Sequence, residues 1–135
     1  MKLVLATNNM GKVREFARIL EPLGISLLTQ QQAGVQVQPE ENGTTFAENA
    51  RIKAMAVYQA TGLPTIADDS GLCIDAFDGQ PGVYSARYCG EDTPYTEKNR
   101  DILSQLEGLP QEKRTARFVA HITCVLSPEQ ILDCE

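Results

Sequence analysis

The chain is short of positive charge. Its 135 residues carry 12 Lys and Arg against 18 Asp and Glu, a formal net charge of −6. A non-specific hold on a nucleic-acid backbone needs a basic face, so no nucleic acid polymer is expected as a partner. A small polyanion stays within reach, because a local lysine or a divalent metal can supply the missing charge. Four cysteines, Cys73, Cys89, Cys124 and Cys134, form no C-x-x-C pair, which argues against zinc and for reduced thiols. No window reaches the length of a membrane span, and Met1-Lys2-Leu3-Val4 enters an apolar stretch with no cleavage site. No membrane partner is therefore expected, and the cytoplasm is the expected location. A Walker A loop, an internal repeat and a linker are also lacking.

What is present suits one domain over residues 1–135. Apolar residues make up 42% and charged residues 22%, ordinary for a globular chain that buries its own core. Lys2 to Ala6 reads as a buried strand. Val13, Phe16, Ala17 and Leu20 then recur at helical spacing, closed by Pro22 and Gly24. Ile25 to Thr29 reads as a second strand, followed by a polar loop from Gln36 to Gly43. Thr45 with Glu48 forms a capping-box pattern, and Phe46, Ala50, Ala54 and Val57 mark the buried side of a helix ending at Gly62.

Pro64 to Ala67 reads as a brief strand, Asp68-Asp69-Ser70-Gly71 as a turn and Leu72 to Ala76 as another strand. "DGQPGVYSARYCGED" reads as a long loop. Thr93 and Pro94 look like the N-cap and first position of a helix that buries Ile102, Leu103 and Leu106. Ala116 to Leu126 reads as a long strand. The chain stops at "QILDCE" as a further strand begins, with nothing evident to pair it. Strands alternating with helices predict an α/β fold, a mixed β-sheet with flanking helices.

Two stretches could carry chemistry. "LATNNMGK" sets a polar loop over the amino end of a helix, where backbone N–H groups and the dipole favour an anion. Thr7 and Asn9 offer hydrogen bonds, Gly11 a close approach and Lys12 a point charge; alone, these residues are better described as a helix cap and a solvated lysine. The second stretch is "IADDSG". In α/β folds ligands collect at strand ends, and two buried carboxylates repel unless a cation lies between them. Hard oxygen ligands select magnesium, with manganese as a substitute. For Asp68 a turn-capping role weighs as much as metal contact; for Asp69 function is favoured. Glu40 and Glu41 add acid in the preceding loop. Lys53 reads by itself as a solvated lysine, and His121 as structural.

The pieces "LATNNMGKVREF", "EENGTTFAENARIKA", "LPTIADDSGLCIDAF", "PGVYSARY" and "ARFVAHI" together resemble the ITP/XTP pyrophosphatase family, in its order and spacing. The resemblance implies an elongated α/β fold with a central cleft and a homodimer. It also implies Mg²⁺-dependent hydrolysis of ITP, dITP and XTP to the monophosphate and pyrophosphate. Thr7, Asn8, Asn9, Met10, Gly11 and Lys12 fall on the family's triphosphate loop, and Ser70 and Lys53 among its substrate contacts. Asp69 falls on the catalytic and metal-binding aspartate, with Asp68, Glu40 and Glu41 as further acidic candidates for the metal. Family members continue with a "GFGYDP"-like segment and a Ser-His-Arg motif that read the base, and neither is present. The expectation is thus a family fold lacking its C-terminal part, either active or a fragment that only binds nucleotide phosphate or dimerises. An aspartyl-phosphate phosphatase ranks last, because such enzymes use D-x-D rather than adjacent aspartates.

Overall fold

The computed structural model describes residues 1–135. Leu3-Val4-Leu5 is apolar on both faces, as a central parallel strand requires. It forms β1 (Lys2–Leu5), paired in parallel with β2 (Ser26–Thr29) and with β3 (Thr65–Ile74). Between these strands lie α1 (Met10–Leu20) and α2 (Phe46–Thr61). The remaining elements are β4 (Gln80–Pro81), α3 (Tyr95–Leu106), β5 (Ala116–Ser127) and β6 (Gln130–Cys134). The sheet order is β2-β1-β3-β5-β6, with β4 beside β3, and parallel and antiparallel pairs mix as the strand–helix alternation predicts. No helix is long and apolar enough to cross a membrane.

The chain divides into two compact units, Met1–Asp69 with His121–Glu135, and Ser70–Ala120. In the first, strand alternation sorts the core into two layers. Leu3, Leu5 and Ile66 face Val13, Phe16 and Leu20 of α1. Val4, Ala6, Ala67 and Val125 face Ala54 and Val57 of α2. α1 closes through a short 3-10 turn onto Gly24, at φ 78, and α2 ends at Gly62, at φ 68, both in the left-handed region glycine tolerates. Thr45 caps α2 by accepting the N–H of Glu48 at 3.1 Å, while Glu48 reaches the N–H of Thr44 rather than that of Thr45.

Three expectations fail here. The turn expected at Asp68–Gly71 is strand: β3 runs unbroken from Thr65 to Ile74. Asp, Ser and Gly favour turns only by local hydrogen bonding and φ > 0. Gly71 is absent from the positive-φ residues, and this stretch is buried. Secondly, the last residues are not short of a partner. β6 returns antiparallel on β5, from Val125 opposite Ile131 to Ile122 opposite Cys134.

Thirdly, in the second unit, Pro94 rather than Thr93 is the N-cap of α3, and Leu103 is 57% exposed. Lys98 takes the expected leucine's place in an i, i+4 stripe with Ile102 and Leu106. It is 3% exposed, and its ammonium donates to the Ala86 carbonyl at 2.8 Å. The long loop before α3 holds a 3-10 helix, Gly82–Arg87, whose Ser85 hydroxyl donates to the Gly82 carbonyl and accepts from the N–H of Leu72.

His121 holds β6 in place. It meets Asp133 Oδ1 at 3.1 Å through Nε2, the Thr123 hydroxyl donates to that oxygen at 2.6 Å, and Arg51 donates to Oδ2 at 3.0 Å. The Thr123 hydrogen bond, with His121 and Arg51, outweighs burial and holds Asp133 below the ordinary 3.8. A lowered carboxylate pKa stabilises the fold above the unfolded value, and that gain disappears as pH falls through the lowered one. Asp133→Asn is therefore expected to cost about 1 kcal/mol at pH 7, a modest figure because the pair is partly exposed. The difference in melting temperature from wild type should close as pH drops below 4 (the ordinary aspartate range); a difference constant from pH 7 to 3 would refute the carboxylate's role.

Candidate active site

The strand β3 delivers two aspartates to opposite faces of the sheet. Ile66 and Asp68 share one parity, facing α1; Ala67 and Asp69 share the other, facing α2. Each carboxylate meets a lysine from the helix on its own side. Lys12 of α1 comes within 3.0 Å of Asp68 Oδ2. Lys53 of α2 lies 3.7 Å from Asp69 Oδ1 and 3.1 Å from Glu41 Oε1. A shared cation between the two adjacent aspartates, as the sequence suggests, is thus replaced by two separate pairs. Ser70 follows half-buried at the next strand position.

On the α1 side the loop is organised by its cap. Asn9 Oδ1 accepts the N–H of Gly11 at 2.9 Å and of Lys12 at 3.3 Å, while Thr7 Oγ1 accepts that of Asn9 at 3.1 Å. Two donors that would greet an anion are therefore turned onto Asn9, and the capping alternative describes this part of the loop. A Cβ at Gly11 would lie 3.1 Å from the Asn9 amide oxygen, so glycine makes room for the cap itself. Asn8 and Met10 are exposed at the helix mouth, and Asn8 lines a cavity of about 370 Å³ with Gln36 and Gln38.

The α2 side, with two carboxylates about one lysine, is electrostatically more crowded. Asp69 is 9% exposed, and its Oδ2 is buried with no hydrogen-bond partner; Asp68 Oδ1 is in the same condition. Burial pushes the Asp69 carboxyl above its ordinary value. Lys53, a hydrogen bond from Asn49 and the more distant Lys12 pull it down, and Glu41 pushes it up again. The net direction is upward, as expected of a carboxylate withdrawn from water faster than it is compensated. No three acidic, His or Cys side chains are gathered into a metal cluster in this arrangement. Glu41, not Glu40, reaches Lys53; Glu40 stands exposed.

Asn49 went unread in the sequence although it sits inside a quoted stretch. It is buried on α2 one turn before Lys53, hydrogen-bonded to Asp69, and its Oδ1 accepts the N–H of Gly43 at 2.8 Å. A Cβ at Gly43 would approach that oxygen to 2.6 Å and Glu48 Cβ to 2.7 Å. Only glycine lets the acidic loop lie so close to the helix, and this sets Glu41 in place. The available signal was a polar residue three positions after Phe46, inside an otherwise apolar helix face.

The chain is 51% identical over 117 residues to the dITP/XTP pyrophosphatase of Yersinia pseudotuberculosis serotype I (strain IP32953), covering 87% of this chain and 59% of that protein. It is 52% identical over 118 residues to the dITP/XTP pyrophosphatase of Desulforamulus reducens, again 87% and 59% of the two. The chain thus spans about 59% of the length of these curated relatives. Among solved structures, a HAM1 protein from Coxiella burnetii superposes with a TM-score of 0.88 at 38% identity, covering 99% of this chain and 68% of that one. The Staphylococcus aureus Ham1 protein gives 0.85 at 33% identity, with 98% and 67% covered. The model of the Ham1 family matches residues 3–134, and the chain belongs to that family.

Proposed function

We propose that this chain carries the catalytic half of a nucleoside triphosphate pyrophosphatase acting on deaminated purine nucleotides, ITP, dITP and XTP. Its products would be the monophosphate and pyrophosphate. The observation that carries the reading is Asp69: a buried carboxylate with one unpartnered oxygen, its pKa raised, facing Glu41 and Lys53. Relatives at about half identity are named for this activity.

Asp69 and Glu41 together offer the hard oxygen donors a magnesium ion requires, and the unsatisfied Asp69 oxygen is a demand such a cation would meet. These two residues would hold the ion, with manganese as a substitute; when bound, it neutralises charge on phosphate oxygens. Asp68 serves the site through Lys12, and Glu40 only by its charge. Asp69 orients the attacking water and takes its proton. Lys12 and Lys53 bring positive charge to the phosphates from the two sides of β3. Thr7, Asn8, Asn9, Met10 and Gly11 form the wall against which the triphosphate lies. The enzyme would work as a homodimer in the cytoplasm, on free nucleotides rather than a nucleic acid polymer, for which its net charge of −6 is unsuited.

The test is pyrophosphate release from ITP, XTP, ATP and GTP, with Mg²⁺ and with EDTA. The expected result is release that favours ITP and XTP and vanishes on chelation. Folded chain that binds inorganic triphosphate without turnover would replace this reading with a binding role.

A further inference from the structure

Lys53 occupies the point where Glu41 and Asp69 converge. Its ammonium lies 3.1 Å from one carboxylate and 3.7 Å from the other, and its side chain is 17% exposed. Two carboxylates brought together in a partly dry site raise each other's energy, and Glu41 does push the Asp69 carboxyl upward. A single charge on a flexible four-carbon stem offsets that repulsion while remaining free to move. It does so incompletely, since Asp69 Oδ2 stays buried without a partner.

We infer that Lys53 is an internal stand-in for the divalent cation and couples cation binding to phosphate binding. The inference rests on the metal-site reading above and adds a regulation to it. A divalent ion between Glu41 and Asp69 and an ammonium at the same point repel each other, so the lysine must leave for the ion to enter. Leaving strands a buried cation unless an anion receives it, and the phosphates of a nucleotide are such an anion. Cation and phosphate thus strengthen each other's binding, and by linkage each does so to the same degree. The site would keep a weak hold on Mg²⁺ until nucleotide arrives, and the acidic loop would keep its place meanwhile because the lysine restrains Glu41.

The experiment is Mg²⁺ titration by calorimetry, without nucleotide, on wild type, Lys53→Met and Lys53→Arg, repeated with Mn²⁺ followed by electron paramagnetic resonance. Lys53→Met is expected to bind the ion about 10-fold more tightly than wild type, within the usual 5–150-fold range of site coupling. Lys53→Arg should stay near wild type, because it keeps the charge. In thermal melts Mg²⁺ should raise the Lys53→Met transition more than that of wild type. A variant folded only with Mg²⁺ would be the same result in stronger form. Should Lys53→Met fold under neither condition, Lys53→Gln, which keeps the stem and a polar head, is measured in its place. Equal or weaker binding in the uncharged variants, with wild type binding the ion, would overturn the inference alone. No binding of either ion by any variant would overturn the metal-site reading and the inference with it.

Discussion

Asp69→Asn is expected to lower pyrophosphate release from ITP by about 10²–10⁴-fold, the range a positioned general base contributes. The fold should survive, with unchanged circular dichroism and a melting temperature equal to or above that of wild type. The sign follows from the site. Burial raises the Asp69 pKa despite Lys53 and Asn49, so the ionised carboxylate costs the folded state more than it returns. An amide of the same shape removes that cost, and its oxygen still accepts the Asn49 hydrogen bond. Loss of activity with gain of stability would be the mark of a strained catalytic group. Wild-type turnover in the variant would end the base assignment, and a large fall in melting temperature would make Asp69 a structural residue.

Lys12→Met is the second change with a large expected effect, acting on stability as well as turnover. It strips Asp68 of the ammonium at 3.0 Å and leaves a carboxylate 7% exposed without compensation. Breaking a fully buried pair costs about 3–5 kcal/mol; with Lys12 at 27% exposure the expected loss is about 2 kcal/mol. Adding Asp68→Asn should restore most of that stability, because the uncompensated charge disappears. It should not restore turnover, since the phosphates still lack the lysine. Urea melts of the four chains in the double-mutant cycle decide this. Equal instability of Lys12→Met and of the double variant would show that the uncompensated Asp68 charge is not what destabilises the single variant.

The parts of the fold that were legible are those where local chemistry and tertiary packing agree. Val13, Phe16 and Leu20, the Thr45 cap and the glycines at 24 and 62 each point to the structure that forms. The misreading at Asp68–Gly71 came from residues whose local preference is a turn. Strand pairing and burial override it, which short-range propensity cannot register. Leu103 is expected in the core because it is apolar, yet its place is taken by a charged residue, Lys98. The helix instead buries the lysine's stem and satisfies its head on carbonyl oxygens. In the site, Asp69, Lys53 and Glu41 lie together, Lys53 paired with both carboxylates. What could not be read was the separation of Asp68 from Asp69, which depends on knowing that a strand continues through both.

That continuation makes the site a matter of odd and even. In a strand the face of each side chain is decided by counting, so Asp68 and Asp69 differ in role by one step of the backbone. Sliding β3 by one residue against β1 would exchange their partners, offering Asp68 to Lys53 and Asp69 to Lys12. It would also turn Ile66 and Ala67 away from the layers they fill. The pairing of the aspartates and the packing of the core are thus indexed by the same count, and no one-residue slip of β3 can disturb the first without disturbing the second.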